Sequence, residues 1–117
     1  MRRTDARLAR LAAALDLQRV TLVVTTDHGH IDTGGHGGWE PIVTEVPLVL
    51  VGRGIRAGVR GEGTQADIAP TVAALLGFPI PVHAVGRPLL EALEGPPGAL
   101  DAIAQASARQ RVAWIRA

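Results

Sequence analysis

Two short runs, "RVTLVVTT" (Arg19 to Thr26) and "VPLVLVG" (Val46 to Gly52), constrain this chain more than any other feature. Successive residues of a strand point to opposite faces. Val20, Leu22 and Val24 therefore share one side of the first run, and Thr21, Val23 and Thr25 the other. Both sides are apolar or β-branched, the pattern of strands covered on both faces in an α/β sheet. Pro47 has no backbone donor, so it can open the second strand but not occupy its middle. Two such strands cannot satisfy their edges and bury both faces alone, since sheets of this kind usually have four or more strands. The expected fold class is α/β, an incomplete portion of a larger sheet with two main strands and flanking helices.

Helical periodicity surrounds these runs. Leu8, Leu11, Ala12 and Leu15 form one apolar stripe, with Thr4 as cap and Asp5 where a negative charge suits the helix dipole, predicting a helix over about Asp5–Leu17. "ADIAPTVAALLG" predicts a second, with Asp67 as cap, Pro70 in the first turn, Gly77 as stop, and a stripe of Ile68, Val72, Leu75 and Leu76. Between Arg53 and Gly63 the Gly- and Arg-rich chain reads as surface connection. "FPIPVHAVGRPLL" is too rich in proline for a central strand and leads to a short helical piece at Leu89–Leu93. "EGPPG" breaks the chain before an amphipathic segment from about Ala99 to Ile115. Residues 1–95 are thus expected to form one unit and residues 96–117 a helical tail.

Composition narrows the functional classes. At 117 residues and 47% hydrophobic content, the chain has the size and apolar share of one globular domain and not of a disordered segment. A net charge of +1, with arginines scattered over several segments, gives no electrostatic case for nucleic acid or an anionic membrane. The absence of cysteine removes disulfides and thiolate ligands. Arg7, Arg10 and Asp16 interrupt the apolar N-terminal run, which therefore reads as a helix rather than a signal peptide. No stretch approaches the roughly 20 apolar residues of a membrane span.

Between the two strand runs lies a loop of about twenty residues that opens with "TTDHGHIDTGGHGG", Thr25 to Gly38, and holds three of the four histidines. Loops that long tend to be functional, and ligands of open α/β sheets bind beyond the carboxyl ends of strands. Asp27 and His28 stand at that position. Gly29 permits a sharp turn, so that carboxylate and imidazole can converge, and glycines on both sides of His36 free its backbone to approach a crowded site. Mixed oxygen and nitrogen donors suit Zn²⁺ or Mn²⁺ better than Ca²⁺. His30 could be a ligand, a donor to a ligand or a solvated residue, and the last two are favoured. Asp32 and Thr33 fit a turn. Glu40 could orient His36 or simply lie on the surface, Trp39 could line a pocket or pack, and His83 reads as a surface residue.

These segments together, "VVTTDHGHIDTGGHGGWE", "VPLVLVGRGI" and "QADIAPTVAALLGFPIPVHAVG", resemble the C-terminal part of the catalytic domain in the alkaline phosphatase superfamily. The pattern is similar to the phosphodiesterase and ethanolamine-phosphate-transferase branch, related to the sulfatases, and runs from about Thr21 to Leu90. The resemblance implies an incomplete α/β/α sandwich in which Asp27 and His28 hold one metal ion and His36 a second, both typically zinc, with manganese as the alternative. It implies that residues 1–95 are the C-terminal portion of such a domain. The branch commonly has methionine where this chain has His30, so His30 is not carried over as a ligand. Asp67 and Thr71 match a signature with a structural role.

The resemblance also implies a function: a metal-dependent phosphoryl-ester hydrolase or phosphotransferase, acting on a phosphate or sulfate ester. The family's nucleophile, first metal aspartate and a further Asp and His have no counterpart here, and Thr25, Thr26 and Thr33 do not match the nucleophile's setting. No catalytic residue is therefore assigned, and the isolated chain is expected to be inactive. The alternatives are a non-catalytic metal-binding remnant, or an interaction subunit that needs an N-terminal partner chain or a second copy along its strand edges. Localisation is left unassigned by these residues.

Overall fold

A computed structural model of the protein describes residues 2–115. The chain forms a mixed α/β structure in two compact units, Met1–Arg53 and Gly54–Ala117.

The first unit contains helix α1 (Arg2–Ala14), strand β1 (Thr21–Val24), a short helix α2 (Pro41–Thr44) and strand β2 (Val49–Gly52). Helix α1 begins and ends about three residues earlier than its apolar stripe suggests, so Thr4 lies inside it rather than capping it. Its end is set by Asp16. The Asp16 carboxylate accepts the Gln18 N–H at 3.0 Å and its carbonyl accepts the Arg19 and Val20 N–H groups, closing a turn that redirects the chain into β1. Leu8, Ala12 and Leu15 are half-buried, as the stripe requires, while Leu11 is exposed.

Strands β1 and β2 pair antiparallel, with Thr21 opposite Gly52, Leu22 opposite Val51, Val23 opposite Leu50 and Val24 opposite Val49. The pair is extended at one end by Arg53, whose N–H bonds the Val20 carbonyl at 3.0 Å and whose own carbonyl accepts the Thr21 hydroxyl at 2.6 Å. All four residues of β1 are half-buried, consistent with cover on both faces. On β2, Val49 and Val51 stay exposed. Among the described residues this sheet has two strands, so each has one unpaired edge. The ordered strands are shorter than their apolar runs, and Pro47 falls outside β2.

The second unit holds helix α3 (Ile68–Leu76), preceded by a 3-10 turn at Gln65–Asp67, a second 3-10 turn at Leu90–Ala92, and helix α4 (Pro97–Ile115). Gly77 adopts φ 71° and ends α3, where the Phe78 N–H bonds the Ala73 carbonyl at 2.9 Å. Helix α4 starts two residues before the expected point because Pro97 takes its first position, where a missing N–H costs nothing. The core of this unit is Ile55, Ala73, Leu89 and Leu93, with Pro70 and Thr71. The segment after Arg53 is therefore not wholly a surface connection: Ile55 is buried and bridges Leu93, flanked by bonds from Arg56 N–H to the Ala92 carbonyl and from Glu94 N–H to the Gly54 carbonyl.

Asp67 and Thr71 brace this unit. Asp67 is buried, and its carboxylate accepts the Thr64 N–H at 2.8 Å and the Arg87 N–H at 2.7 Å. The Thr71 hydroxyl donates to the Asp67 carbonyl at 2.6 Å and accepts the Leu89 N–H at 2.9 Å. Among the described residues, no helix is long and apolar enough to cross a membrane.

Candidate metal centre

The site lies in the first unit, where β1 ends and the chain enters the long loop. Thr26 marks the exit: its hydroxyl donates to the His28 carbonyl at 3.0 Å and lies 3.3 Å from Asp27 Oδ1. Gly29 follows the Asp27–His28 pair, and its N–H bonds the Val43 carbonyl at 2.8 Å. The backbone of α2 approaches so closely that a Cβ on Gly29 would overlap the Ile42 carbonyl oxygen. Gly29 is not among the residues with positive φ, so glycine is needed here for close approach rather than for a left-handed turn.

The glycine-rich turn then brings the chain back. Gly34, Gly35 and Gly37 have φ of 89°, 93° and 72°, conformations that side chains disfavour. A Cβ on Gly37 would also meet the side chains of Ile31 and the buried Val43 at 2.7 and 2.8 Å. Val43 is thus the apolar post around which the loop closes, and it is the buried residue of α2.

Closure gathers the imidazoles of His28, His30 and His36, each with one ring nitrogen within 4.8 Å of those of the other two. Ring centroids stand 5.2 Å apart for His28–His30, 4.7 Å for His28–His36 and 5.3 Å for His30–His36. His28 Nε2 is the meeting point of the residues singled out from sequence: His36 Nδ1 lies 3.2 Å from it and Asp27 Oδ2 3.7 Å. Two backbone carbonyls fix ring orientation. His28 Nδ1–H donates to the Gly29 carbonyl at 2.7 Å, and His30 Nδ1–H to the Gly35 carbonyl at 2.9 Å. A carbonyl only accepts, so both rings carry their proton on Nδ1, which leaves Nε2 as the acceptor nitrogen of each.

Asp27 is exposed, and its carboxyl is held below the ordinary range by its own backbone amide, then by the neighbouring His28. An ionised carboxylate beside imidazole lone pairs is a donor set of nitrogen and oxygen, which fits zinc and other d-block ions. Among the described residues Glu40 makes no bond to His36; its Oε2 accepts the Gly38 N–H at 2.6 Å, and its own backbone amide, then that of Gly38, hold its carboxyl below the ordinary range. Trp39 is 94% exposed and packs on nothing substantial. His83 is exposed, as its setting among prolines suggested.

His30 is the residue that the sequence reading set aside and the fold brings into the cluster. A sequence signal existed in the spacing: residues two apart face the same side wherever a chain is extended, and only Gly29 separates His28 from His30.

An α/β chain that gathers three imidazoles where its first strand ends, with a carboxylate beside them, has the donor groups of a metal centre. The chain belongs to the Metalloenzyme superfamily, the alkaline-phosphatase-like group, whose family model matches residues 1–80. The 2,3-bisphosphoglycerate-independent phosphoglycerate mutase of Microcystis aeruginosa is 32% identical over 102 residues, covering 77% of this chain and 19% of the mutase. The corresponding mutase of Rhodopirellula baltica is 37% identical over 99 residues, covering 76% of this chain and 18% of its own. Human GPI ethanolamine phosphate transferase 1 is 34% identical over 89 residues, covering 58% of this chain and 10% of the transferase. The chain thus spans less than a fifth of the length of these relatives. No solved structure matches it. At the level of the family, divalent-metal binding and metal-dependent phosphoryl transfer follow from these matches.

Proposed function

We propose that this chain supplies part of a two-metal site for transfer of a phosphoryl group from a phosphate ester, as a hydrolase or a phosphotransferase. The observation that carries the reading is the convergence of Asp27 Oδ2 and His36 Nδ1 on His28 Nε2, at 3.7 and 3.2 Å, in a chain of this family. Asp27 and His28 would hold one ion and His36 its neighbour, with zinc favoured by the imidazole nitrogens and manganese as the alternative. Bound divalent ions supply Lewis acidity toward the ester oxygens and a lowered pKa for a coordinated hydroxyl.

The chain's own residues orient that site. Gly29 fastens the Asp27–His28 pair to α2, and the carbonyls of Gly29 and Gly35 set the tautomers of His28 and His30. None of the nearby hydroxyls is assigned as nucleophile: Thr26 spends its hydroxyl on the His28 carbonyl and thereby shapes the strand exit. The nucleophile and remaining ligands would come from an N-terminal portion, in a longer chain or as a partner chain. The unpaired strand edges and the exposed Val49 and Val51 of β2 support such a partner.

Two measurements test this. Metal content of the purified chain after dialysis should fall in His28→Ala and His36→Ala relative to the parent chain. Hydrolysis of an aryl phosphate by the isolated chain with added zinc should be absent, and robust turnover would show that a nucleophile lies within these residues after all.

A further inference from the structure

We propose that His28, His30 and His36 form a three-imidazole site that holds a single d-block ion in this chain on its own, with His30 as a true ligand. This concerns the chain by itself and is distinct from the two-metal reading of the complete site, in which His28 and His36 serve different ions and His30 serves neither.

The geometry favours one ion. Two nitrogens bound to the same tetrahedral zinc at about 2.0–2.1 Å stand about 3.3 Å apart. His28 Nε2 and His36 Nδ1 are 3.2 Å apart, already at the spacing of ligands that share an ion. The third ring completes a nearly equilateral triangle, with centroid separations of 4.7, 5.2 and 5.3 Å. The widest nitrogen separation, within 4.8 Å, closes to ligand spacing by a movement of about 1.5 Å, a rotamer-scale adjustment for the exposed His30.

The hydrogen bonds point the same way. A metal-bound imidazole characteristically donates its other N–H to a carbonyl or carboxylate, which fixes its tautomer and strengthens the donor nitrogen. His28 and His30 each make that bond through Nδ1, to Gly29 and Gly35. Gly35 lies next to His36, so the same turn that presents His36 also anchors His30. A loop residue that merely faced water would need no such anchor. In the metal-free cluster His36 Nδ1–H donates to His28 Nε2, whose own proton is on Nδ1. Metal binding requires His36 to move that proton to Nε2 and release the Nδ1 lone pair. Three neutral nitrogens select zinc, copper or nickel over magnesium and calcium, which prefer oxygen. Asp27 Oδ2, 3.7 Å from His28 Nε2, stands at the rim of the cluster, and its Oδ1 is held by the His28 N–H at 3.1 Å.

The test is zinc titration of the whole chain by calorimetry, with Co²⁺ as a spectroscopic substitute whose visible band intensity separates four-coordinate from six-coordinate ions. One zinc per chain is expected, with an intense four-coordinate Co²⁺ band. His30→Gln keeps an N–H donor for the Gly35 carbonyl but removes the ligand nitrogen; it should weaken zinc at least about 100-fold, beyond the 10–100-fold typical of losing a supporting partner. His30→Ala should do the same, with the fold of both variants checked by circular dichroism. Asp27→Asn should shift the affinity only a few-fold. Nitrogen-15 shifts of the His30 ring should move on zinc binding together with those of His28 and His36. Parent-like zinc affinity in both His30 variants, or zinc shifts confined to His28 and His36, would overturn the proposal. If in addition Asp27→Asn abolished binding, the two-metal assignment would stand while this one fell. Failure of zinc to bind the parent chain at all would overturn it too.

Discussion

Gly29 donates its backbone N–H to the carbonyl of Val43 at 2.8 Å, tying the residue after the Asp27–His28 pair to the short helix α2. The contact leaves no room for a side chain, because the Ile42 carbonyl oxygen occupies the position of a Cβ. Backbone against backbone cannot yield by a rotamer change. Gly29→Ala is therefore expected to destabilise the first unit by about 1–3 kcal/mol, the usual cost of overpacking. The same substitution should loosen the histidine cluster, so its urea midpoint and its zinc affinity should fall together. A variant that kept both would mean that α2 moves aside freely.

Asp67 offers a contrasting test, since it supports the second unit and touches no candidate ligand. Its carboxylate satisfies the N–H groups of Thr64 and Arg87, and it is 6% exposed. Removing it orphans both donors in a poorly solvated place. Asp67→Ala should cost about 3 kcal/mol in chemical denaturation, given 1.5–3 kcal/mol for each hydrogen bond to a charged group. Asp67→Asn, which keeps one acceptor oxygen, should fall between the two. Zinc binding by the histidine loop should not follow these changes wherever the chain stays folded.

Ser107 predicts a gain rather than a loss. It is 2% exposed in the middle of α4, and its hydroxyl has no hydrogen-bond partner among the described residues. A buried hydroxyl without a partner carries a desolvation penalty, and alanine is also the better helix former. Ser107→Ala should raise stability by about 1 kcal/mol, read as a higher thermal midpoint. A drop would indicate that the hydroxyl has a partner in solution, such as a bound water.

The sequence made some of this architecture legible and hid the rest for identifiable reasons. The strands were readable because β-branched runs as dense as "TLVV" and "VLVG" have few other uses. Helix α3 was readable because Pro70 and Gly77 punctuate it at both ends. Helix α1 slipped by a turn because Thr4 resembles a cap, while Asp16, which sets the end, acts through its side chain on a residue outside the helix. Helix α2 is four residues long, too short for any periodicity to announce it. Asp67 could be seen as a brace, but not its bond to Arg87, twenty residues further on, because no local pattern encodes that distance. In the site, the glycines around His36 made it legible that this imidazole could approach a crowded place, and its Nδ1 stands 3.2 Å from His28 Nε2. The place of His30 beside His28, with ring centroids 5.2 Å apart, depends on the loop's closure on Gly35, which no local pattern announces.

Arg87 and Glu91 give a prediction that depends on pH. The two side chains form a bidentate pair, Nη1 to Oε2 at 3.0 Å and Nη2 to Oε1 at 2.7 Å. The Arg87 guanidinium holds the Glu91 carboxyl below its ordinary range, and Glu91 in turn raises Arg87. A carboxyl whose pKa is lower folded than unfolded stabilises fully above its unfolded value, and that contribution is lost as pH falls through the folded one. Arg87 stays charged throughout and adds no pH dependence in this range. Both side chains are more than 40% exposed, so solvent screens the pair and its worth is about 0.2–1 kcal/mol. Glu91→Gln should therefore lower stability by that amount at neutral pH, and the difference from the parent chain should shrink as the medium is acidified below the ordinary carboxylate range. Added salt should shrink it as well. Denaturation curves of the two proteins at neutral and acidic pH check this, and a difference that grew on acidification would reverse the assigned sign.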